Sequence, residues 1–297
     1  MSKFINHWKI CLLVLIAYAV CFVMQNSAYA IKIGLITKGT NAVIATSKPG
    51  YIINPSTGRK IAELSSMEIC QISKYGSILS IKINGHAFSL GTNYIEIVTA
   101  PGGFIFTKRS WYRGKLAIYN LGDNIIVVND LDLESYLQGV VPSEMPSSWN
   151  VEAHKAQAVA ARSYAIANMG KRAHSGYDLK DTPEDQAYGG ASRETAKTNY
   201  AVAQTKGQVL VCGNKVIPAY YSSSAGGHTL NAGSVWLKNL PFVRSVPSFD
   251  EDVPKNGHGV GMSQHGANVM ANYGYNAYQI LGYFYQNVKL YRVNASL

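Results

Sequence analysis

The acid that stands out in this chain is Glu144, set between Pro142 and Pro146 in VVPSEMPSSWN at 140–150. Two prolines at that spacing oppose a regular helix and push Val141 and Met145 toward extended backbone, so the carboxyl is expected on a stiff turn. Val140, Val141 and Met145 around it would exclude water. A desolvated carboxyl keeps its proton to higher pH, as a general acid working near neutrality must. Taken by itself, such an acid is more commonly a solvated loop residue.

Three further clusters could touch a ligand. GHGVGMSQHGA at 257–267 places four glycines and two histidines, His258 and His265, around Ser263 and Gln264, just before a helical pattern. Glycines there let backbone approach a ligand closely, and they argue against the two histidines forming a helical metal pair. YYSSSAGGHT at 220–229 has the composition of a binding turn, but Ser224-Ala225-Gly226 is not the GxSxG of a nucleophile elbow. DTPEDQAYGG at 181–190 offers Asp185, Gln186 and Tyr188 for hydrogen bonding or stacking on sugars, or equally a helix-capping loop. No CxxC pair or HExxH occurs, so a cysteine-rich or gluzincin-type zinc site is not indicated.

These clusters need elements to hold them. From about Leu133 the acidic-aromatic run leads into a helix expected over 151–169, with Asn150 as N-cap and Gly170 as its stop. Ala153, Ala156, Ala160 and Ala167, with Val159, form a small-residue side suited to tight packing. A second helix is expected over 192–206, strands at QVLVC and KVIPAYYS, and helices over 266–273 and 277–286. Residues 31–130 read instead as short strands such as SILSIKI and KLAIYN, which alternate apolar and polar residues between Gly, Pro, Asn and Ser turns. That pattern suggests support or binding, not chemistry. The fold class is therefore α+β: a leader at 1–30, a β-rich region at 31–130 and a mixed region at 131–297 holding a cleft.

The leader has the order of a secretory signal peptide: Lys3 and Lys9, an uncharged apolar run from Ile10 to Met24, then Ala28-Tyr29-Ala30. Export to the cell envelope follows, with cleavage after Ala30 favoured over a retained membrane anchor. Cys11 and Cys21 leave with the leader, so Cys70 and Cys212 are either one disulfide or two free thiols. The formal charge of +10 suits anionic envelope polymers. Basic residues are scattered without a Lys/Arg run, so no nucleic-acid partner is expected.

In content and order, the segments LESYLQGVVPSEMPSSWNVEAHKAQAVAARSYA, DQAYGG, KGQVLVCGNKVIPAYYSSSAGGHT, VWLKNLPFVRSVPS and GHGVGMSQHGA resemble the stage II sporulation protein D (SpoIID/LytB) family across about 131–290. The resemblance implies a peptidoglycan lytic transglycosylase that cuts between N-acetylmuramic acid and N-acetylglucosamine and leaves 1,6-anhydro ends. The family's glutamate in Pro-Ser-Glu-Met-Pro falls on Glu144. Tyr136, Gln157, Arg162, Gln186, Tyr188, Ser223, Gly227, His258, Ser263 and Gln264 match motif positions and are assigned to substrate positioning. Some relatives carry Cys and His near the serine-glycine turn and hold zinc there. With Ser222, Ser224 and Ala225 in place and only His228 nearby, no metal and no cofactor are expected. The implied partners are glycan strands and, from the branch of the family described as amidase enhancers, a partner amidase. A non-catalytic amidase modifier is the chief alternative, and a serine or metal hydrolase of wall peptides the weaker one.

Overall fold

A computed structural model describes residues 29–293, an α+β structure whose first half is almost entirely strand. A seven-stranded sheet runs in the order Leu179–Lys180, Ala30–Gly39, Asn124–Asp132, Lys115–Leu121, Tyr94–Thr99, Gly50–Asn54, Arg59–Leu64. A second, six-stranded sheet is centred on Asn41–Thr46 and Cys70–Tyr75. Alternation decides which faces meet: Ile31, Ile33, Ile95, Ile97, Ile118, Ile125 and Val127 are all fully buried, together with Ile44, Ile72 and Ile81 of the second sheet.

The strand Asn124–Asp132 leads directly into helix α1 (Leu133–Glu144), capped by the Asp132 carboxylate accepting from the Ser135 N–H at 3.0 Å. Here the structure corrects the expected turn, because the helix passes through Pro142 and Val141 is helical. The reason is the apolar stripe Leu133, Tyr136, Leu137, Val140 and Val141. Every member is buried in the core under the sheets, which offsets the roughly 3 kcal/mol that an interior proline costs. The Ser143 hydroxyl donates to the Gly139 carbonyl at 2.7 Å beside the proline. Met145 is extended (φ −127°, ψ 140°), as a residue preceding Pro146 must be.

Helix α2 (Val151–Ala167) starts where expected, with the Asn150 side chain accepting from the Glu152 N–H, and Gly170 takes a left-handed φ of 76° just past its end. It divides two cores. Ala158, Ala161 and Ala165 face the core shared with α1 and the sheets. Ala153, Ala156, Val159 and Ala160 pack in a second core with Met262, Ala267, Ile280 and Phe284, while Ala167 is exposed. The later helices are α3 (Ala196–Gln204), shorter than expected, then α4 (Ala232–Trp236), α5 (Gln264–Asn272) and α6 (Ala277–Phe284). The segment expected as one strand at KVIPAYYS is split around Pro218 into Lys215–Val216 and Tyr221–Ser222.

Residues 1–28 of the leader lie outside the described residues; its last two are described, with Ala30 opening the first strand opposite Asp132 and the Tyr29 carbonyl accepting from the Leu133 N–H at 2.8 Å. Among the described residues no helix is long and apolar enough to cross a membrane. Cys70 and Cys212 are free thiols, one in each core, and burial pushes the Cys70 thiol up to about 12.

Candidate active site

Glu144 closes α1 at the floor of an open cleft of about 690 Å³. Three neutral donors from three other parts of the chain reach its carboxyl. The Ala187 N–H donates to Oε1 at 2.7 Å, the Tyr221 hydroxyl to Oε1 at 3.4 Å, and the Gln264 amide to Oε2 at 3.1 Å. Burial raises the Glu144 pKa above the ordinary value of 4.5, and the three hydrogen bonds pull it back only in part. Among the described residues no cation is bonded to it, so the group can hold a proton and, once ionised, be stabilised by donors already in place.

The glycine-rich loop explains how Gln264 gets there. Met262–Ser263 pairs in parallel with Tyr221–Ser222, and Ser263 then caps α5 by accepting from the Gly266 N–H at 3.1 Å. Gly261 has a left-handed φ of 78°, and a Cβ there would collide with the Tyr220 carbonyl oxygen; one at Gly266 would collide with the Ser248 carbonyl. The short ladder therefore sets Tyr221 and Gln264 side by side against Glu144.

Of the residues expected to position substrate, Ser223, His258 and Gln264 line the cleft with Glu144. The others lie behind it. Tyr136, fully buried, donates to Gln186 Oε1 at 3.2 Å, and the Gln186 amide donates to the Tyr221 hydroxyl at 2.8 Å, a relay that ends on Glu144. Tyr188 donates to Asn129 at 2.8 Å and packs on Gly139, where a side chain would strike its ring. Arg162, with no exposed surface, grips Glu134 through two bonds of 2.8 and 2.7 Å and reaches the carbonyls of Ala158 and Gln208. Ser263 and Gly227 both serve Asp250. Gln157 is fully buried, with neither end of its amide bonded to another described group.

Sequence reasoning missed Tyr221, Asp250, Trp236 and the Ala187 N–H. Asp250, only 3% exposed, accepts from the N–H groups of Ala225 and Gly227 at 2.7 and 2.9 Å, from Ser263 at 2.6 Å, and from Ser248. It ties the serine-glycine turn to the start of α5. Burial works to raise its pKa, but these four donors hold it below the ordinary value of 3.8. Such a group adds stability above its unfolded value, and that contribution is lost as pH falls through the lower folded value. Asp250→Asn, which turns a donor toward donors, is expected to cost about 2–4 kcal/mol near pH 7. Its deficit against wild type should shrink in urea titrations run below the ordinary Asp range. An unchanged deficit at low pH would show that shape, not charge, holds the turn.

The fold and site define a β-rich scaffold followed by a more helical half whose own residues line the cleft, with one acid in it whose pKa is raised by burial. Residues 122–212 match the family model described as stage II sporulation protein, SpoIID. This region is similar to the SpoIID family's domain. Over 165 residues (53% of this chain, 45% of the relative) it is 39% identical to an uncharacterized protein of Brachyspira hyodysenteriae. It is 38% identical over 144 residues (43% and 42%) to the stage II sporulation protein D of Bacillus subtilis. It is 47% identical over 107 residues (36% and 14%) to the amidase enhancer of Bacillus subtilis. The matched stretch spans less than half the length of each of these relatives.

Proposed function

We propose that this protein is an envelope lytic transglycosylase that cleaves the N-acetylmuramic acid to N-acetylglucosamine bond of peptidoglycan, with Glu144 as its proton carrier. The observation that carries this reading is the pairing of the cleft's carboxyls. Asp185 is clamped by Lys171 at 2.6 Å and Arg172 at 2.9 Å, and Glu184 by Lys180 at 2.6 Å, whereas Glu144 meets only neutral donors. Among the described cleft residues one acid is left to exchange protons.

Hydrolytic glycosidases generally need two carboxyls, one for the leaving oxygen and one for water or a covalent intermediate. A single acid suffices where the sugar supplies its own nucleophile. Glu144 gives its proton to the glycosidic oxygen as the C1–O bond breaks. The C6 hydroxyl of the same muramic acid residue then bonds to C1, and its proton passes to the Glu144 carboxylate. The acid is restored and no water is consumed. The Ala187 N–H, Gln264 and Tyr221 stabilise the carboxylate during the interval in which it is ionised. The signal-like leader suits a substrate outside the cytoplasm.

The test is to incubate the protein with purified peptidoglycan, intact and amidase-stripped, and to read soluble fragments by mass spectrometry. Anhydro-muramyl ends, one water lighter than reducing ends, support the reading; reducing ends or no fragments overturn it. The similarity to an amidase enhancer favours a second reading, in which the protein stimulates a partner amidase. In that case Glu144→Gln should stimulate the amidase as well as wild type does.

Tyr221→Phe separates the hydrogen bonds of Glu144 from its burial. Loss of a donor to the carboxylate raises the pKa of Glu144 further, so the alkaline limb of the pH–rate profile is expected to move to higher pH. The rate near neutrality should fall about 3- to 10-fold. A limb that stays in place would mean that the 3.4 Å contact carries no electrostatic weight.

A further inference from the structure

One wall of the cleft is aromatic. Trp236, 38% exposed at the end of α4, lies with its ring centroid 4.5 Å from Tyr220 and 5.0 Å from His258, and Tyr220 in turn meets Tyr164 edge-on at 5.9 Å. All four line the cleft that holds Glu144. The backbone beneath is anchored, since the Tyr220 carbonyl accepts from the Met262 N–H at 3.1 Å and from the Tyr285 hydroxyl at 2.7 Å. Tyr220 also directly precedes Tyr221, the residue bonded to Glu144. His258 Nδ1 accepts from the Val260 N–H at 3.0 Å, which leaves the ring proton on Nε2.

We infer that Trp236, backed by Tyr220 and His258, is a stacking platform for one neutral pyranose ring of the glycan beside the bond at Glu144. This rests on the reading that the cleft takes a glycan. A pyranose carries a face of C–H groups, which suits the electron-rich face of an indole, and a rim of neutral hydroxyls and amides. The rest of the cleft matches that rim: Ser223, Asn256 and Gln264 are neutral hydrogen-bonding side chains. Its lysine, Lys171, is already committed to Asp185 at 2.6 Å. An anionic ligand would find no free cation among the described lining residues, so a sugar without charge, of the N-acetylhexosamine class, fits best.

The experiment uses Glu144→Gln protein, which holds a strand without cutting it, titrated with the tetramer of β-1,4-linked N-acetylglucosamine in a calorimeter. Adding Trp236→Ala is expected to weaken binding about 10- to 30-fold, while Trp236→Phe, which keeps a ring, stays within about threefold. Melting temperatures of all three proteins should agree, which separates a lost platform from a lost fold. If the Trp236→Ala protein binds the tetramer as tightly as its parent, the platform is wrong and the glycan reading stands. If the parent binds no tetramer, the platform and the glycan reading fall together.

Discussion

Glu144→Gln is expected to lower the release of anhydro-muramyl ends by roughly 10³-fold or more, within the range for removing a general acid and base that no neighbour replaces. No neighbour can replace it here, because the other acids at the cleft, Asp185 and Glu184, are bound to Lys171, Arg172 and Lys180. The fold should not suffer. The new amide carbonyl can still accept from the Ala187 N–H, and Gln264 need only turn its own amide over. Stability should rise, and the sign follows from the titration. A buried carboxyl with a raised pKa imposes no electrostatic cost while it is protonated in both states. As pH climbs from the ordinary 4.5 through the higher folded value, the unfolded chain ionises more readily and stability is lost. The Gln variant escapes that loss, so its melting temperature should exceed wild type at pH 7 to 8 and match it near pH 4. Wild-type activity should fall over the same rise in pH, as the acid loses its proton before the first step. A variant that still releases anhydro ends would remove Glu144 from the chemistry.

Arg162 carries the second large effect, and its readout is unfolding. Its guanidinium has no exposed surface and holds both oxygens of Glu134, whose own side chain is partly exposed. It also crosses to the Gln208 carbonyl on the strand that follows α3. Arg162→Met leaves Glu134 without its charged partner and removes the side-chain donor that crosses to the Gln208 carbonyl. A cost of about 3–5 kcal/mol follows, or a melting temperature lower by on the order of 10 °C for a chain of this size. Exchanging both partners, Glu134→Gln with Arg162→Met, should recover part of it, since the uncompensated charge is then gone. At temperatures where the single variant is folded, its activity per molecule should be near wild type, because Arg162 lies behind the cleft. A drop in turnover without a drop in stability would instead place it in substrate handling.

Much of the architecture was legible from pattern. Asn150 and Gly170 bracket α2 because cap chemistry is local, and alternation picks out strands such as Ile78–Ile83 because one face is buried. Helix α1 was hidden by Pro142, although its stripe at 133, 136, 137, 140 and 141 carries the helical period. That stripe was the signal to weigh against the proline. In the site, motif strings led to Glu144, Ser223, His258 and Gln264, which do share a cleft. The same strings could not separate these from Tyr136, Arg162, Gln186, Tyr188 and Ser263, since residues that touch a ligand and residues that hold its neighbours fall in the same runs. Asp250 sits in the plain acidic sequence Phe-Asp-Glu-Asp, and Ala187 contributes only its backbone, so neither had a side-chain signature to find.

The three donors to Glu144 come from positions 43, 77 and 120 residues further along the chain. Contacts that distant close late in folding, after the loop entropy between them has been overcome. A nascent chain that has emerged only as far as α2 has its acid but none of these three donors, and the ladder joining Tyr221–Ser222 to Met262–Ser263 is the step that completes the site. Assembly order thus acts as a safeguard under the activity proposed above: the donors around Glu144 are complete only once Gln264 has joined the fold, so truncated or half-folded copies would lack the finished site.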